Sequence, residues 1–94
     1  MSELPPGLAA YKRTPLFNEA TVPAGLLKDH STKEGTWGLI HVEAGRLRYF
    51  VTDSRRSSSC RDLIAGSAPG VVEPTIVHRV EPVGPVRFWV EFYR

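Results

Sequence analysis

A single cysteine, Cys60, stands in a chain of 94 residues, so no internal disulfide can form, and the composition fits a reducing compartment. No apolar run approaches the ~20 residues a membrane-crossing helix needs. The opening MSELPPGLAAYK has neither the positive start nor the apolar stretch of a secretory signal, so the cytoplasm is the expected location. Charge of one sign is also scarce. Twelve Lys and Arg against ten Asp and Glu leave a net +2, and the basic residues are scattered. Neither nucleic acid nor a membrane surface is therefore expected as a partner. Apolar spacing at helical period never lasts beyond a turn or two. The length allows one small core and no second module.

What the chain does have is punctuation: eight Pro and eight Gly divide it every dozen residues or so. Short apolar runs between such breaks predict an all-β domain. Residues 1–8, with Pro5-Pro6-Gly7, read as a loose lead-in, and residues 9–94 as the domain. Residues 9–13 suit a short edge strand, and 16–25, which follows Pro15 and contains Pro23, an irregular arm. Residues 26–30 alternate as a strand would, and 31–35 form a polar turn. Residues 37–42 and 47–51 flank Glu43-Ala44-Gly45-Arg46, and this spacing predicts a β-hairpin with Gly45 at positive φ. The tract 53–61 (DSRRSSSCR) reads as an exposed tip whose arginines are solvated. Strands are expected again at 60–64 and 76–81, with Val71-Val72 leading to Glu73-Pro74 between them. The last, 86–93, alternates cleanly: Val86, Phe88, Val90 and Phe92 share one face. Closing so many short strands into a barrel or jelly roll would remove their exposed edges.

Four blocks carry a resemblance. They are His30-Ser31-Thr32-Lys33-Glu34-Gly35-Thr36-Trp37-Gly38, then Glu43-Ala44-Gly45-Arg46-Leu47, then Val72-Glu73-Pro74 with His78-Arg79-Val80-Glu81, and the terminal Arg87-Phe88-Trp89-Val90-Glu91-Phe92-Tyr93. Over residues 9–94 the chain resembles the small cupin-like domain typified by YeaR and by the N-terminal part of some TehB tellurite-resistance proteins. The resemblance implies a double-stranded β-helix, the cupin jelly roll, and a role in resistance to tellurite or similar oxyanion stress. It also implies that the methyltransferase activity of two-domain relatives belongs to a separate domain. No glycine-rich cofactor loop follows a strand in this chain.

Metal-binding cupins present His-x-His in their first motif, and here Thr32 stands where the second histidine would be. His30 and His78 are the two secure candidates for a divalent ion, whether zinc, iron, nickel or manganese, all of which accept neutral imidazole. A third ligand could be Glu73, with His41 and Glu34 as further choices. Trp37, Tyr49 and Trp89 could rim a pocket. Trp89 and Tyr93, on the face opposite the apolar one, could instead serve a homodimer. Arg79 and Glu81 are expected to pair at the surface. Cys60 lies among arginines that favour a thiolate, without a base nearby in sequence. Three functions fit: a module binding a metal ion or small molecule, a small metal-dependent enzyme acting on a small anion, or a protein-interaction domain.

Overall fold

Two long antiparallel strands carry the architecture. In the computed structural model, which describes residues 4–94, they are β3 (Trp37–Val51) and β6 (His78–Tyr93), paired along nearly their whole length. Around them lie β1 (Ala10–Arg13), β2 (Phe17–Asn18), β4 (Ser59–Ile64) and β5 (Gly70–Val72). All six form one open antiparallel sheet in the order β1-β6-β3-β4, with β2 added against β6 and β5 against β3. The only helical element among the described residues is a single 3-10 turn, Ala24–Leu26. The chain is all-β, as its punctuation predicts. Of the expected lead-in, residues 1–3 lie outside the described residues, and residues 4–9 form no strand.

The expected hairpin at residues 43–46 is not there: β3 runs straight through it. Gly45 does take a positive φ, 78°, but within a bulge rather than a reversal. The reason lies in the partner strand. Between Val42 and Ala44 the ladder gains a residue on β3, and between Gly45 and Leu47 it slips against residues 82–86 of β6. Irregularities facing each other across a ladder bend the two strands together instead of turning either one back. The same alignment makes β6 continuous through Pro82 and Pro85, where two separate strands were expected. The alternating stretch 26–30 is likewise no strand. The 3-10 turn interrupts it, and only His30 pairs, with His78.

The bulge also resets which side chains face inward. Before it, Gly38 and Ile40 are buried; after it, Leu47 and Tyr49 are, so the inward set shifts from even to odd positions. On β6, His78, Val80, Val86, Phe88 and Val90 face inward throughout. Bending the ribbon lays its two limbs over each other. A Cβ placed on Gly70 would lie 3.2 Å from Tyr49 of one limb and 3.5 Å from Ile40 of the other. Leu63, Leu47 and Phe88 are the largest wholly buried side chains.

The tract 53–61 is tied down more firmly than expected. Asp53 is buried, its Oδ2 accepting from the Val77 amide at 2.8 Å and its Oδ1 from the Arg55 amide at 2.8 Å. The Arg55 guanidinium adds bonds of 2.9 and 2.8 Å. These donors hold the carboxyl far below the usual carboxylate range. Arg56 pairs with Glu73 at 2.8 Å, so neither arginine is merely solvated.

Gly45→Ala should be severely destabilising. Its Cβ would run into the Pro85 carbonyl oxygen and lie 2.9 Å from Val86 Cα, at a φ that side chains rarely adopt. Left-handed strain alone costs roughly 1–3 kcal/mol, and backbone cannot yield as a side-chain tip can. Phe88→Ala should cost about 3–5 kcal/mol by leaving a cavity. Urea titration would check both, and a Gly45→Ala midpoint within error of the parent would contradict the bulge geometry.

Candidate functional site

The bent ribbon, the loop before β3 and the edge at β1 enclose a cavity of about 510 Å³. Its floor is apolar, made by Ile40, Val72, Val80, Phe88 and Val90. Its polar edge contains both His30 and His78, which are far apart in sequence. The backbone joins them: His30 donates to the His78 carbonyl and His78 to the His30 carbonyl, each at 2.9 Å. Their ring centroids stand 4.2 Å apart with the planes tilted by 58°.

Each ring is oriented by the carbonyl two residues before it. His30 Nδ1 lies 2.8 Å from the Lys28 oxygen, and His78 Nδ1 lies 3.0 Å from the Ile76 oxygen. A carbonyl can only accept, so both Nδ1 atoms carry the proton. In the neutral rings Nε2 is then the unprotonated nitrogen, able to accept a hydrogen bond or bind a cation. Burial and the neighbouring His30 lower the His78 pKa; the Ile76 bond and Asp29 offset this in part. Tyr49 stands edge-on to His78, with centroids 5.8 Å apart, and donates to the Val71 carbonyl at 2.9 Å. Burial pushes its hydroxyl up to about 12, so it remains a donor. The loop at residues 31–36 is secured at one end by the Thr75 amide on the Thr32 carbonyl, 3.1 Å. Thr32 Oγ1 donates to the Thr36 carbonyl at 2.7 Å. Thr75 itself sits at φ 63°, a strained conformation for a β-branched residue.

The other expected ligands lie elsewhere. Glu73 pairs with Arg56 and lines a second hollow, beside Tyr49 and Arg61. Glu34 belongs to the exposed turn before β3 and does not line the cavity. His41 is on the outer face, stacked on Trp89 at 4.2 Å, with Nε2 3.3 Å from Glu91 Oε1. Trp37 and Trp89 line neither hollow, whereas Tyr49 touches the second. Arg79 and Glu81 approach to 3.9 Å, a loose surface pair. Cys60 is exposed on β4. Among the described residues no group of three His, Cys, Asp or Glu side chains assembles. Two imidazoles suit a metal ion, but a centre with three protein ligands does not fit this cavity.

Sequence reasoning passed over Lys12, Lys33 and Arg94, all of which line the cavity. Each belongs to a segment that reads alone as an ordinary charged surface, and only the folding of β1 and the loop onto β6 gathers them. No local signal marks them.

A histidine held below its ordinary value of 6.5 binds its extra proton more readily once the chain unfolds. Stability should therefore fall as pH drops below about 6.5, by at most roughly 1.4 kcal/mol per pH unit for this one group. Denaturant titrations at about pH 7.5 and about pH 5.5 would check this. His78→Gln should lose less stability over that interval than the parent, and an equal loss would remove His78 from the effect.

Residues 12–90 match the TehB-like domain family. A curated relative, a probable S-adenosyl-L-methionine-dependent methyltransferase TehB of Haemophilus influenzae, is 32% identical over 75 residues, or 79% of this chain and 26% of that protein. The chain thus spans about a quarter of the length of the curated relatives it matches. The crystal structure of TehB from the same organism superimposes with a TM-score of 0.83 at 28% identity, over 92% of this chain and 31% of that one. A structural-genomics crystal structure of an Escherichia coli protein gives a TM-score of 0.87 at 24% identity, covering 100% of this chain and 97% of the other, which speaks to fold alone. No helix among the described residues is long and apolar enough to cross a membrane. By the extent of the family match and the identity to TehB, this chain belongs to the TehB-like domain family.

Proposed function

We propose that this domain is a binding module of the cupin-like kind, taking a small molecule into the cavity with His30 and His78 as its polar anchors. One observation carries the reading. Two histidines from distant segments meet at 4.2 Å beside the apolar floor of the cavity, each with its tautomer fixed by a carbonyl. A purely structural histidine needs only one satisfied partner and no neighbouring imidazole. An apolar chamber with a few convergent polar groups is the usual form of a small-ligand site. The ribbon curled about that chamber supports the jelly-roll description. Relation to TehB supports a role in the response to tellurite or similar oxyanion stress.

The fixed tautomers favour a second reading, in which the two Nε2 atoms hold a divalent ion such as zinc, iron, nickel or manganese. The remaining coordination positions would then fall to water or to a ligand. That reading leaves room for metal-dependent chemistry but names no protein group as a base.

Two measurements test the pair. Titration of isotope-labelled protein with small aromatic fragments should shift the amides of Ile40, Val80, Phe88 and His78 together. Shifts scattered over the surface would overturn the cavity reading. Elemental analysis of untagged protein purified without chelators decides the metal reading. It expects near-stoichiometric metal in the parent and none in the His30→Ala/His78→Ala variant; metal absent from both defeats it.

A further inference from the structure

The fully charged side chains that line the cavity are all basic. Lys12, Lys33 and Arg94 line it, and no aspartate or glutamate does among the described residues. Neither the Lys12 nor the Lys33 ammonium has a carboxylate partner among those residues, although the protein elsewhere pairs Arg46, Arg48, Arg55, Arg56 and Arg79 with acids. Arg94 is held over the Tyr11 ring, its guanidinium carbon 4.0 Å from the centroid. The cations also have defined places. Lys12 lies on β1 opposite Phe92, and Arg94 follows the end of β6, so these two flank the cavity on one side. His30 and His78 meet on the segment where β6 begins. Lys33 is on the loop between them.

Three requirements follow for an occupant. Its body must be apolar, because the floor is Ile40, Val72, Val80, Phe88 and Val90. It must carry an anionic group to meet the cations, since charge-assisted bonds to carboxylate are the stronger ones available. That group must sit away from the imidazoles, because an unprotonated Nε2 is an acceptor and repels an anion. Resting on the small-molecule reading above, we propose that the cavity binds an amphipathic organic acid. Its carboxylate meets Lys12, Lys33 and Arg94, its apolar body covers the floor, and a hydroxyl at the far end can donate to His30 or His78. A compact inorganic oxyanion satisfies only the first of these contacts and leaves the floor bare.

The experiment is calorimetric titration of the intact chain with four probes: phenylacetate, 4-hydroxyphenylacetate, phenylacetamide and tellurite. Phenylacetate should bind at least about fivefold more tightly than its neutral amide, the upper end of what one exposed charge pair supplies. The 4-hydroxy acid should bind more tightly again, and this increment alone should vanish in the His30→Phe/His78→Phe variant; its persistence there would overturn the hydroxyl contact. Lys33→Gln and Arg94→Gln, at exposed positions where folding is not at risk, should each weaken both acids and leave the amide unchanged. High salt should do the same. Equal affinity for acid and amide would overturn the charge assignment while leaving the cavity reading intact. Binding of tellurite in place of both acids would overturn the amphipathic assignment. If neither the acids nor the amide bound, the cavity reading itself would fall, and this proposal with it.

Discussion

The meeting of Gly45 with the backbone at Pro85 and Val86 is the contact on which the rest of the structure depends. Only a residue without Cβ lets the two strands approach so closely at that point. There β3 and β6 stop behaving as a flat ladder and bend together. A straight ribbon of that length would expose both faces and enclose nothing. Bent, it lays Ile40 and Phe88 over Tyr49, Val80 and Leu47, and a core follows from two strands and their short neighbours. The same step resets the inward set of β3 while β6 keeps its own, so that His78 and Phe88 both point into the enclosed space.

A chamber built this way has an open side, and what closes it is the chain before β3. The segment from Thr14 to Thr36 crosses the outer edge of β6, pairing at Phe17 and again at His30. The Asp53 cluster fixes the other approach. It ties the tract 53–61 to Val77, one residue before His78, so the histidine pair is held both by the bridge between His30 and His78 and by the Asp53 bond to Val77. Such bonds gain strength where water is excluded, and the strained Thr75 is tolerated between them. The imidazoles therefore sit where rotation is restricted, which suits recognition better than a mobile loop would.

The electrostatics divide the molecule into two surfaces. On the outer face His41, Trp89, Arg13 and Glu91 form a stacked, largely self-compensating patch. Inside, the two imidazoles line the cavity, and among the described residues Lys12, Lys33 and Arg94 at its edge form no ion pair.

Alternation and breakers alone determined that the chain is all-β and that Val86, Phe88 and Val90 share the core face. Those features are local, because a strand's inward set and a glycine's permitted φ are written in a few neighbouring residues. Whether Gly45 reverses the chain or bends it was not local. The answer depended on an irregularity some forty residues away on the partner strand, and the sequence of β3 carries no trace of it. The third ligand failed for the same reason: Glu73 is next to Pro74 in sequence, but its carboxylate is claimed by Arg56 from another loop. Lys12, Lys33 and Arg94 became a group only when β1 and the loop before β3 folded against β6. Pairing patterns are readable from sequence because they repeat; the gathering of single charges around a cavity does not repeat, and tertiary structure alone decided it.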